Sequence, residues 1–170
     1  MFDFFAKKKI NSALERNTRT HIFHNLGDIK TVLILFSYTD WNDIQQIIED
    51  LKSKGKAVLL WTTQGHKTEG SQIKLPPEVR VITHKDSSIW QGLSSDVLKE
   101  FTALSYDTLL DLTTQKDKSL LYLLAHNSSE FCIGIKEYDV KIYDFIVLKE
   151  ENRSLTDTYN QIKIYLNNIR

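Results

Sequence analysis

Apolar runs of strand length alternate along the chain with amphipathic stretches, which is the pattern of a layered α/β sheet. Val32 to Phe36 is apolar without a break, and runs of that kind belong to central parallel strands buried on both faces. The next segment carries Trp41, Ile44, Ile47, Ile48 and Leu51 at helical spacing. Asp40 stands where a cap would start that helix, with Asp43 three residues on. Lys52 and Lys54 complement the dipole at its end, and Gly55 can take the left-handed position that stops it.

Ala57 to Trp61 predicts a second strand and Val79 to Thr83, after the Pro76-Pro77 pair, a shorter third, with a polar loop between them. Ser94 or Ser95 opens a helix with Val97, Leu98, Phe101 and Leu104 on its apolar face. Thr108 to Leu112 reads as a fourth strand, a Leu-rich helix follows around Lys118 to Ala125, Phe131 to Ile135 is a fifth strand and Ile142 to Leu148 a sixth. A parallel crossover takes a dozen or more residues, and only a short polar stretch separates the last two runs, so the sixth strand is expected to be antiparallel or to lie elsewhere in the sheet. The last helix opens with Ser154 and Asp157 at capping-box spacing and repeats Leu155, Tyr159, Ile162, Leu166 and Ile169, a stripe that reads as packing on the sheet rather than as a coiled-coil seam. The fold class is therefore α/β: a three-layer Rossmann-like domain over residues 26–170, with a mostly parallel sheet of five or six strands, behind an N-terminal basic amphipathic helix or arm over residues 1–25.

A length of 170 residues suits one domain, and 41% hydrophobic with 26% charged residues is globular rather than disordered or membrane composition. The formal net charge is zero, so no nucleic acid is expected as a partner, and any charge-driven contact requires a local patch. The first 24 residues hold such a patch, with Lys7, Lys8, Lys9, Arg16 and Arg19 against Asp3 and Glu15, and with Phe2, Phe5, Ile10 and Leu14 able to share a helical face. A basic amphipathic helix of this kind suits peripheral membrane contact or a protein partner; the plainer reading is a helix closing the sheet with its lysines in water. The single cysteine, Cys132, cannot form an internal disulfide, and between Phe131 and Ile133 it reads as an inert small hydrophobe. No apolar run approaches the ~20 residues of a membrane span. Phe2, Phe4 and Phe5 precede the lysines, which reverses the order of a secretory leader, and a cytoplasmic location is expected.

Cofactor motifs are not evident. Gly65 to Ser71 has the glycine spacing of a phosphate loop after a strand, but Ser71 stands where the phosphate-binding lysine must follow and the segment runs into Lys74-Leu75-Pro76-Pro77 instead of a helix. No G-x-G occurs for a dinucleotide. Metal ligation has no support from spacing either, since His66 and His84 are distant and no H-x-x-x-H or C-x-x-C exists. Neither a cofactor nor a metal is expected.

The candidate site follows from the fold class, because open α/β sheets bind ligands outside the carboxyl ends of their strands. Those ends are polar here: Ser37, Thr39 and Asp40 after the first strand, Thr62, Thr63 and His66 after the second, His84 after the third, Thr113 and Thr114 after the fourth. Asp111, at the end of the fourth strand, is a carboxylate among apolar residues, a setting in which general bases are found and in which loop-bracing aspartates are found as well. Asp40 and Asp111 are thus the candidate catalytic carboxylates, and the other residues are candidate contacts for a polar small molecule.

Tyr106-Asp107-Thr108-Leu109-Leu110-Asp111-Leu112, followed by a Leu-rich helix and Glu130-Phe131-Cys132-Ile133-Gly134, resembles a passage in the N-terminal, acceptor-side half of heptosyltransferase-like GT-B glycosyltransferases. That resemblance implies a Rossmann-like half-domain and makes Asp40 a counterpart of the aspartate those enzymes carry after their first strand, with Thr39 where they have glycine. Such enzymes bind the nucleotide sugar mainly through a second Rossmann-like domain, for which 170 residues leave no room. Over nearly its whole length the chain is also similar to a family of small uncharacterised bacterial proteins. The expectation is a non-catalytic binding or interaction module, with a small enzyme, a transferase or hydrolase using a strand-end aspartate as base, as the alternative.

Overall fold

Two-faced burial of its first strand organises the sheet. In the computed structural model, which describes residues 2–64, 73–88 and 92–170, six strands form one sheet: β1 (Thr31–Ser37), β2 (Ala57–Thr63), β3 (Val79–Ile82), β4 (Thr108–Asp111), β5 (Phe131–Gly134) and β6 (Phe145–Ile146). The loop expected from Gly65 to Ser71, His66 included, lies outside the described residues. The spatial order is β3-β2-β1-β4-β5-β6, with β1 central and each of these pairings parallel. This is the doubly wound Rossmann order, which reverses direction between β1 and β4. Ser87–Ser88 and Gly92–Leu93 add a separate two-stranded antiparallel ladder.

Alternate side chains of β1 feed two cores. Val32, Ile34 and Phe36 pack with helices α2 (Trp41–Ser53) and α5 (Leu155–Asn167) on one face. Leu33 and Leu35 pack with α3 (Ser95–Thr102) and α4 (Lys118–Ala125) on the other. Helix α1 (Phe2–Arg16) lies against α4, with Ile10 buried and Leu14 packed on the second core. Phe5 does not join them on that face: it is 57% exposed, because at about 100° per residue it falls well away from the Ile10 side.

The sixth strand departs from expectation, since it is parallel to β5 rather than antiparallel. Its ordered pairing is confined to Phe145–Ile146, so the link covers residues 135–144 and has the length to cross back without a helix. That link lays the Tyr143 ring on Gly134, where an added Cβ would sit 2.5 Å from three ring carbons.

The expected caps hold with one exception. The Ser94 hydroxyl accepts from the Val97 N–H, Ser154 and Asp157 form a reciprocal capping box, and Gly55 takes φ 76°. Asp40 occupies the N-cap of α2 without a side-chain cap bond. The chain enters α2 through a 3-10 turn, Tyr38–Asp40, so Asp40 has φ −91° and ψ 11° instead of the extended conformation that aims a cap side chain back at the first free N–H groups. Asp50 of α2 ties the two helices of the first face together, accepting from Tyr159 Oη at 2.6 Å and Lys163 Nζ at 3.0 Å on α5 and also from Lys54.

Candidate functional site

Parallel pairing brings the carboxyl ends of β2, β1 and β4 side by side. Ser37 is in register with Thr63, Phe36 with Thr62, and Leu35 with Asp111. Across the reversal point the Thr114 N–H approaches Ser37 Oγ at 3.5 Å, and the Leu112 N–H donates to the Leu35 carbonyl at 2.8 Å. Helix α2 starts at this point. Tyr38 reaches over it and donates its hydroxyl proton to the Ile73 carbonyl at 2.7 Å.

The expected site residues divide into two groups. Ser37, Thr39, Asp40, Thr63 and Thr114 sit at the rim, partly or fully exposed. Thr62, Asp111 and Thr113 turn inward and are buried. Thr62 Oγ1 donates to the Phe36 carbonyl at 2.7 Å, which commits it to the backbone of β1. His84 is exposed in a 3-10 turn beyond β3, at the far edge from the reversal point. His66 lies outside the described residues.

Asp111 is fully buried and its carboxylate is engaged on both oxygens. Oδ1 accepts from the Thr113 N–H at 3.0 Å and Thr113 Oγ1 at 2.6 Å; Oδ2 accepts from Lys136 Nζ at 2.9 Å and Tyr143 Oη at 2.5 Å. Burial, then the charge and hydrogen bond of Asp111, raise the pKa of the Tyr143 phenol, which therefore holds its proton and donates it. Lys136 Nζ also donates to the Thr113 carbonyl at 2.9 Å and stands 5.2 Å from the centre of the Tyr138 ring. The group as a whole is a strut between the ends of β4 and β5. Lys136 and Tyr143 were not among the residues expected from the sequence. The available signal was a lysine two residues past Gly134, which pairs with Asp111, and hence on the same side of the neighbouring strand.

Asp40 is the contrasting carboxylate. Its Oδ2 is buried and has no hydrogen-bond partner among the described residues. Burial raises its pKa, the nearby charge of Asp43 adds to the rise, and Lys149 opposes it. A carboxylate held in this way accepts a proton or a donated hydrogen bond more readily than an ordinary surface aspartate.

At the amino end of the sheet, a cleft of about 740 Å³ lies between α1 and α4, lined by Lys9, Arg16, Asn17, Arg19, His126 and Asn127 among others. It is poorly suited to chemistry. Arg19 is spent in a buried bidentate pair with Asp144 at 2.9 and 3.0 Å, and the C-terminal ends of α1 and α4, the negative ends of their dipoles, both face the cleft. Cys132 is wholly buried and its thiol pKa is pushed up by burial. Among the described residues no three histidine, cysteine or carboxylate side chains gather into a metal-holding group. No described helix is long and apolar enough to cross a membrane.

Comparison with known proteins returns no match among curated proteins and none among solved structures. A family model does match, over residues 3–169, and on that match the chain belongs to the "Family of unknown function (DUF6913)".

Proposed function

We propose that this domain is a non-catalytic binding module that takes a polar small molecule at the reversal point between β1 and β4. The observation that carries the reading is the Asp40 carboxylate, whose Oδ2 is unpartnered among the described residues and which opens α2 just past the end of β1, where Ser37, Thr39, Thr63 and Thr114 form the rim. A carboxylate oxygen without a donor and a rim of hydroxyls at that point of a doubly wound sheet suit a ligand rich in hydroxyl or amine donors. Asp111, the other candidate base, is occupied by Lys136, Thr113 and Tyr143, which favours binding over catalysis.

A relationship to the acceptor-side half of GT-B glycosyltransferases is part of the same proposal, at the level of fold and not of activity. The residues of the resembling passage are engaged in holding the sheet: Asp107 accepts from the Lys30 and Thr31 N–H groups at the amino end of β1, Tyr106 Oη accepts from the Ser128 N–H, and Gly134 makes room for Tyr143. The raised pKa of Asp40 favours a second reading, a small transferase or hydrolase with Asp40 as base.

Thermal-shift screening of the full chain against sugars, sugar phosphates, nucleoside diphosphates and nucleotide sugars tests the proposal. A hit should lose its affinity in Asp40→Asn while the variant stays folded, and prolonged incubation should leave the ligand unchanged by mass spectrometry. Turnover that Asp40→Asn abolishes would establish the enzyme reading instead. Hits indifferent to Asp40 would remove the site.

A further inference from the structure

The outward side of α1 serves neither core and takes no part in the strand-end site. Ile10 is 5% exposed and Leu14 packs on the second core, which fixes the side of α1 that meets the protein. Phe4 precedes Lys8 by four residues and Phe5 precedes it by three, so the three side chains share a face, and that face is the opposite one. Phe4 is 69% exposed and Phe5 57%, their ring centres 6.0 Å apart edge to face. Lys7 and Lys8 are exposed as well, and no acidic residue occurs from Phe4 to Leu14.

Two aromatic rings with a lysine on the same face suit neither a dry contact, which would bury the charge, nor a purely solvated face, which would leave the rings in water. An anionic bilayer surface accepts both. Rings settle at the boundary of headgroups and acyl chains, while lysine stems run along the apolar layer and carry their charge out to the phosphates. The chain is neutral overall, so this all-basic stretch is a local feature that complements an anionic surface. We propose that α1 docks the protein peripherally and reversibly on anionic lipid, with Phe4 and Phe5 inserted and Lys7 and Lys8 paired with lipid phosphates. The inference is independent of the ligand reading above.

Vesicle co-sedimentation of the full chain tests it, using large unilamellar vesicles of phosphatidylcholine alone and of phosphatidylcholine with about one-third phosphatidylglycerol. The protein should bind the mixed vesicles and not the neutral ones, and added salt should weaken the binding. Phe4→Ser with Phe5→Ser should abolish it, and Lys7→Gln with Lys8→Gln should lower the partition coefficient about 25-fold, roughly fivefold for each lysine. Both variants should melt with the parent protein, because all four side chains are exposed. Failure of the parent protein to bind mixed vesicles, equal binding to neutral vesicles, or binding that survives loss of both phenylalanines would each overturn the proposal.

Discussion

Asp111 shows what a single carboxylate does when an apolar strand ends on it. With no exposure and with Lys136, Tyr143 and Thr113 donating to it, the group is the negative half of a buried ion pair whose lysine side chain is 11% exposed. Removing one charge of such a pair strands the other, at a cost of about 3–5 kcal/mol. Asp111→Asn, nearly isosteric and attractive as a functional probe on sequence grounds, should therefore lower the urea midpoint sharply. Adding Lys136→Met should return much of the loss, since the stranded charge goes with it. A variant as stable as the parent would show that the pair contributes nothing. The sequence displays Asp111 as a carboxylate in an apolar run but not its partners, which lie 25 and 32 residues further on and meet it only because β5 and its crossover fold alongside β4. Gly134 is a similar case, its lack of a side chain explained by a tyrosine nine residues downstream in the chain that no local pattern connects to it.

Elements were more legible than residues, because helix periodicity and serine caps are local. The capping box of α5, the Ser94 cap of α3 and the Gly55 stop of α2 are short-range features that the structure retains. Asp40 holds the N-cap position without the expected side-chain bond because a 3-10 turn ahead of α2 leaves no mark in the residue types, and β6, expected to be antiparallel or to lie elsewhere in the sheet, pairs parallel with β5 because its paired length is shorter than its apolar run. How the two helices of one face hold together was not visible at all, and it depends on Asp50. Burial works to raise the Asp50 pKa, but hydrogen bonds from Lys54, Tyr159 and Lys163 outweigh it and hold the group at about 2. A depressed folded-state pKa means the contribution is complete above the unfolded value near 3.8 and disappears as pH falls toward about 2. The parent protein should therefore exceed Asp50→Asn in stability by roughly 1–2 kcal/mol near neutral pH, a figure reduced for the partial exposure of the site. Urea titrations in steps from about pH 6 down to about pH 2 should show the gap closing at the acid end. A gap independent of pH would mean that packing, and not the charge, joins α2 to α5.

Across the whole molecule, strand order turns scattered polar residues into one place. With β1 central and the order reversing between β1 and β4, Ser37 to Asp40 and Asp111 to Thr114 must end side by side. The apolar run of β1 already announced its central position, whereas which strands flank it depends on long-range pairing. Of the residues so assembled, Asp40 is the one whose burial is uncompensated by a hydrogen bond at Oδ2 among the described residues. Its raised pKa carries a definite sign for stability. The folded state binds the proton more tightly than the unfolded chain, so the protonated group favours folding below the unfolded value of 3.8 and that benefit is lost as pH rises through the folded value. At neutral pH the charged carboxylate is thus a liability to the fold, and Asp40→Asn should be more stable than the parent by roughly 0.5–1 kcal/mol, with the difference shrinking as both are titrated toward acid. A residue that weakens the fold yet is needed for ligand affinity marks a functional position, whereas one that only holds the loop should destabilise on replacement. Paired denaturation curves of parent and Asp40→Asn at neutral and acid pH decide between these: lower stability of the variant at neutral pH would make Asp40 a structural brace and move the search for the ligand elsewhere on the molecule.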